Sequence, residues 1–265
     1  MNEEIEKLQN QIKELETQIE GLRYELFKKI GSSSNSIENS QITTQGIGNV
    51  GVGANALKNN SASYNTAVGG SALSLLKTNN GNVAVGYEAG KNHTGQTGTF
   101  IGAYAGQDNT TGNTNTFVGY IAGANNTTGL SNAAFGALAL NASITGDYNT
   151  AMGKSAGNNL SAGSNNIFLG YSAGAYETGS NAFYVDSRDR GTSSDDKTKA
   201  ILYGVMASAV ADQKLTINGL LNQSVSKTPA SATATGTTGD IAWDASYIYI
   251  CTATDTWKRV AISTW

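Results

Sequence analysis

The stretch NTFVGYIAG, Asn115 to Gly123, decides the fold because its order recurs along the chain. NTAVGGSAL stands at 65–73, NTAMGKSAG at 149–157 and NIFLGYSAG at 166–174. Aligned on the inner glycine, copies fall at Gly53, Gly69, Gly86, Gly102, Gly119, Gly136, Gly153 and Gly170, at intervals of 16, 17, 16, 17, 17, 17 and 17 residues. A ninth copy, NAFYVD, puts Asp186 in the glycine position, and there the repeat stops. A fixed period of this kind is the signature of a stacked-repeat architecture.

Each rank of the repeat has its own chemistry. The residue before the glycine is always large and apolar (Val52, Val68, Val85, Ile101, Val118, Phe135, Met152, Leu169) and is expected to point inward. Two positions earlier, mostly β-branched residues predict a three-residue strand in every copy. Three positions after the glycine, alanine occurs in all eight copies, which implies close backbone approach. Four positions before it stands asparagine in seven copies, with Gly98 the exception, and stacked amides can bond along a ladder.

One pair of ranks varies together. Phe100, Phe117 and Phe168, two before the glycine, accompany Gly106, Gly123 and Gly174, four after it; Leu57, Leu73 and Leu140 accompany Gly51, Ala67 and Ala134. Such compensation predicts that the two positions share one packed volume. A coil with two short strands and two turns would stack on its neighbours at about 4.8 Å. Since one thin roll buries little, three rolls sharing the Ala and Phe/Leu ranks along a three-fold axis are expected.

The phrase resembles the head repeats of trimeric autotransporter adhesins. DNTTGNTNTFVGYIAGANNTTG is closer still to the NTAVGxxAL…NTTG arrays of phage tail fibres and related host-recognition fibres. The resemblance covers roughly residues 46–186. It implies a left-handed parallel β-roll, a homotrimer and an attachment role.

Upstream, Ile5, Leu8, Ile12, Leu15, Ile19, Leu22 and Leu26 are spaced 3, 4, 3, 4, 3 and 4, a heptad seam. Ile at a with Leu at d favours two strands by rule; the repeat domain asks for three, and a parallel trimeric coiled coil over 1–30 is the expectation. Residues 31–45 then form a flexible joint, 46–186 the β-roll, 187–228 a charged collar with a short β segment, and 229–265 a C-terminal β cap. The fold class is mainly β.

Composition narrows the function classes. The net charge is −3, without the basic stripe that nucleic acid demands. Twelve of the 37 charges lie in the first thirty residues, so the middle is nearly uncharged. One cysteine and one histidine supply no disulfide framework, zinc site or Ser-His-Asp triad. No run approaches the roughly 18 apolar residues of a membrane span, and the acidic start lacks a secretory signal's character. Synthesis in the cytoplasm without a signal peptide, followed by assembly into a virion or injection-particle tail, is the expectation.

GIGNVG at 46–51 matches a dinucleotide fingerprint but lacks the following helix and acid. His93, in KNHTGQTG, is expected as an exposed turn histidine. Asp186, Asp189, Asp195 and Asp196 could act as acid and base on a glycan; a solvated, salt-bridged collar is the plainer reading. At the C-terminus, strands over 240–243, 246–252 and 256–262 gather aromatic residues. Trp243, Tyr247, Tyr249 and Trp257 are the receptor-binding candidates, with the tyrosine side first.

The expectation is therefore a homotrimeric attachment fibre of a phage or phage-like injection system that is not an enzyme, with no catalytic residue, metal or cofactor. Its partners would be a baseplate or tail protein at the N-terminal side and a host-surface glycan or protein, with no nucleic acid and no membrane insertion. Alternatives are a glycan-degrading tailspike-like enzyme and a bacterial trimeric surface adhesin.

Overall fold

The computed structural model describes residues 7, 9, 11–22, 46–221 and 228–263. They fall into two units, Met1–Asn218 and Gly219–Trp265. In the first, residues 11–22 form helix α1. Its seam residues Ile12, Leu15, Ile19 and Leu22 are each more than half exposed. Ile5, Leu8, Leu26 and the joint at 31–45 lie outside the described residues.

The repeat is a β-solenoid of about eight turns. Strands β1 (Val50–Val52), β2 (Thr66–Val68), β3 (Val83–Val85), β4 (Thr99–Ile101), β5 (Thr116–Val118), β6 (Ala133–Phe135), β7 (Thr150–Met152) and β8 (Ile167–Leu169) are three residues each. They pair in parallel, each copy of the phrase opposite the next. β9 (Ala182–Val185) adds in parallel, and β10 (Leu202–Val205) and β11 (Lys214–Ile217) continue the sheet antiparallel.

One rank points opposite to expectation. In each strand the middle residue is buried, from Gly51 and Ala67 to Phe117 and Phe168. The residue before the glycine faces out: Val52 is 42% exposed, Met152 48% and Leu169 45%. Alternation along a strand allows a three-residue segment only one inward side chain, and the coil is so thin that Ala, Phe and Leu fill it. The Ala and Phe/Leu ranks are 0% exposed within a single chain, so they are not shared along a three-fold axis.

The shared-volume expectation holds. Phe100 lies against Gly106 of its own coil and Gly90 of the coil before; Phe168 lies likewise against Gly174 and Gly157. Ala84/Gly90 and Ala151/Gly157 are small at both positions because neighbouring coils fill them, with Leu73 and Phe100 at the first and Leu140 and Phe168 at the second.

The second expected strand of each coil is absent among the described residues. That side is made of turns, with left-handed φ at two and four residues after the glycine, as at Ser71 (+59°) and Leu73 (+48°). Backbone bonds still tie coil to coil there: Leu73 N–H donates to the Ala89 carbonyl and Gly106 N–H to that of Ala122. The inner glycine is obligatory on two counts. At Gly119 φ is +139°, and a Cβ would stand 2.6 Å from the carbonyl of Gly136 in the next coil. Asp186 can replace glycine because no further coil stacks above it.

The asparagine ladder forms as expected. Asn132 N–H donates to Asn115 Oδ1, Asn149 N–H to Asn132 Oδ1 and Asn166 N–H to Asn149 Oδ1, at 2.9–3.0 Å. Where Gly98 interrupts it, His93 enters. The ring is 0% exposed, not an exposed turn residue. It bridges Asn82 Oδ1 (3.0 Å) and Asn109 Oδ1 (2.9 Å) and lies edge-on to Phe100. A side chain at position 98 would collide with Phe100 and crowd the imidazole, so the missing amide makes room for the ring.

In the second unit, β12 (Ile241–Trp243), β13 (Tyr247–Ala253) and β14 (Thr256–Ala261) form a small antiparallel sheet. The chain leading into it is tied to the sheet: Trp257 N–H donates to Ala232 O and its indole Nε1 to Ala234 O.

Candidate functional site

The solenoid ends in a carboxylate cluster. Leaving the last coil, the chain places Asp186 in a two-pronged pair with Arg190, at 2.5 and 2.8 Å. Thr192 then caps helix α2 (Ser193–Lys199) by accepting from Asp195 N–H. The helix turns Asp196 inward, 2% exposed, where Oδ2 accepts the Tyr176 N–H at 3.0 Å. Asp195 faces away and pairs with Lys199 at 2.9 Å. Asn218 Nδ2 closes the helix end on the Ala200 carbonyl.

Burial pushes the Asp196 carboxyl up to about 6, with the charges of Asp186, Asp189 and Glu177 adding and the Tyr176 amide opposing. Tyr176 joins the cluster through its backbone amide, which serves Asp196, and the charge of Asp189 reaches its side chain. Asp189 is exposed. Nearby, buried Glu177 accepts from Tyr184 Oη (2.5 Å) and the Gly179 amide (2.8 Å) and pairs with Lys197 (3.3 Å). Burial raises the Glu177 carboxyl, but these bonds outweigh it and hold the group below its ordinary value. Glu177 is thus a structural anion, whereas Asp196 and Asp189 form a protonatable acid beside an exposed carboxylate.

Of the four collar aspartates singled out in the sequence, Asp186 and Asp189 act electrostatically on Asp196, whereas Asp195 pairs with Lys199. Tyr176, Glu177 and Tyr184 were missed. Thr192 and Asp195 at N-cap spacing were a legible helix signal. Glu177 was legible too, because it falls in a rank otherwise held by Asn60, Leu76, His93, Asn109, Asn126, Ser143 and Leu160, all buried.

In the C-terminal unit, Tyr247, Tyr249 and Trp257 share one face of the sheet. Trp243 pairs with Ile248 and lies on the opposite face. An open pocket of about 430 Å³ is lined by Pro229, Ser231, Tyr249, Trp257 and Arg259. Arg259 stacks 4.1 Å from the Tyr247 ring, and Tyr249 Oη donates to Asp244 Oδ2 at 2.6 Å. This bond lowers the Asp244 carboxyl and raises the Tyr249 hydroxyl. Tyr249, expected as a receptor contact, is only 8% exposed and packs into the sheet, so Tyr247 and Trp257 are the accessible rings of this face.

Comparison with known proteins yields partial relatives. Over 73 residues, 28% of this chain, it is 42% identical to a "Depolymerase, capsule K30/K69-specific" of Klebsiella phage K64-1, covering 9% of that protein. Over 62 residues, 23% of this chain, it is 42% identical to "Depolymerase 1, capsule K30/K69-specific" of Klebsiella phage K5-2, covering 7%. The chain therefore spans less than a tenth of the length of these curated relatives. No family model matches, and no solved structure matches. Partial relatives of this kind, with a β-solenoid, support a phage tail fibre or tailspike-like protein. The expectation of a non-enzyme is corrected by the same finding, since both relatives are named depolymerases.

Proposed function

We propose that the chain belongs to a tailspike-like protein of a phage tail that engages and cleaves capsular polysaccharide. The observation that carries this reading is the collar in which the charge of exposed Asp189 reaches Asp196, buried and protonatable near neutral pH. In the proposed reaction Asp196 gives its proton to the glycosidic oxygen as the C–O bond breaks. Asp189 either attacks the anomeric carbon or takes a proton from the water that does; water completes the hydrolysis. The relatives' printed names support the substrate class. Release of reducing ends from purified Klebsiella K30 or K69 capsular polysaccharide, abolished by Asp189→Asn, tests it; equal release by the variant overturns it.

Attachment is the companion role. A homotrimer is supported by the exposed seam of α1 and by the outward apolar rank of the solenoid, including Val85, Ile101, Phe135 and Leu169. Among the described residues no helix is long and apolar enough to cross a membrane. The N-terminal side would join a tail or baseplate protein. Tyr247 and Trp257 would hold a host-surface glycan, and three copies on one rod would multiply weak contacts into avidity.

A further inference from the structure

Along the turn side of the solenoid, tyrosines of successive coils touch. Tyr87 and Tyr104 meet edge to face at 5.4 Å, and Tyr104 and Tyr120 at 6.2 Å. Tyr87 and Tyr120 are 52% and 53% exposed, so the rings do not serve as core. The fold does not call for aromatics here. The Tyr87 and Tyr120 position is Ala54, Ala103 and Ala137 in other coils, and the Tyr104 position is Ser71, Ser155 and Ser172.

Polar groups beside the rings are already fixed. Glu88 is held by Lys91 (3.0 Å) and Gln107 (2.5 Å), and Asn92 donates to Asp108 (2.8 Å). Further along, Tyr171, 45% exposed, has Lys154 over its ring at 6.0 Å. Between Tyr120 and Tyr171 the same position holds Ala137 and Lys154, so Tyr87, Tyr104 and Tyr120 form an aromatic line of their own.

We propose that Tyr87, Tyr104 and Tyr120 form a track for a polysaccharide chain, which stacks pyranose faces on the rings and runs along the solenoid. The coil spacing of about 4.8 Å is close to the length of one sugar residue, so three coils hold a short stretch of polymer in extended form. The track rests on the capsule-cleaving reading for its substrate class but not for its residues.

The test replaces each ring by what other coils carry: Tyr87→Ala, Tyr104→Ser and Tyr120→Ala together in the full chain. Affinity electrophoresis in gels containing purified Klebsiella K30 or K69 capsular polysaccharide reads binding. The triple variant should keep the wild-type melting midpoint, bind polymer at least about tenfold more weakly, and cleave an oligosaccharide of one repeating unit at the wild-type rate. Undiminished polymer binding by the folded variant overturns the track, as does a wild-type chain that retains neither polysaccharide. If Asp189→Asn still cleaves while the triple variant loses binding, the collar reading fails and the track stands.

Discussion

The Phe117 ring lies over Gly123, where a Cβ added to the glycine would stand 2.5 Å from Phe117 Cδ2. One volume is filled by Phe with Gly in this coil and by Ala134 with Leu140 in the next. Gly123→Leu should cost about 1–3 kcal/mol by overpacking, and Phe117→Ala about 3–5 kcal/mol by opening a cavity. Leu140 already holds φ +48°, so leucine tolerates this turn. The double variant should recover most of the loss in urea denaturation, and simple additivity would refute the shared volume.

Gly119→Ala should destabilise by about 3 kcal/mol or more, since a methyl there meets the next coil's backbone and cannot be moved aside. Gly219→Ala, with nothing within 4 Å of the added carbon, is the control and should be nearly neutral.

His93 and Asp196 give opposite pH dependences. Burial pushes His93 from 6.5 down to about 4. As pH falls through 6.5 the unfolded chain takes the proton first, so stability declines until about pH 4, by roughly 3 kcal/mol in full. Asp196 is raised from 3.8 to about 6, so the native chain keeps its proton longer and stability declines as pH rises across that window. In chemical denaturation at pH 5 and 7.5, His93→Gln should remove the first trend and Asp196→Asn the second. Unchanged slopes would place the titrations elsewhere.

Much of this was legible in the sequence and some was not. The glycine spacing gave the coil, and the Phe/Gly and Leu/small pairs gave its interior, because close packing leaves a record in covarying volumes. Apolarity misled at Val52, Ile101 and Met152: in a strand of three, direction is set by alternation, and an exposed apolar rank reads the same as a buried one. His93 was misplaced because its site exists only where Gly98, in the next copy of the repeat, lacks a side chain. The collar's charges were visible, but the division into a paired Asp186, an outward Asp195 and a buried Asp196 depends on helix α2 and on Tyr176.

Light scattering checks the assembly. The wild-type chain of 27.4 kDa should run at three times that mass, and Ile101→Asp with Phe135→Asp should weaken association by placing charges on the outward rank. A wild-type monomer would remove the trimer from the account.

Capsule cleavage as a function of pH bears most directly on the central claim. The size of purified K30 or K69 capsular polysaccharide, followed by size-exclusion chromatography after incubation with the full chain, should fall with time. The rate should drop as pH rises through about 6, where Asp196 loses its proton, and Asp196→Asn should abolish it. Polysaccharide of unchanged length at every pH, or cleavage undiminished in Asp196→Asn, would contradict the account.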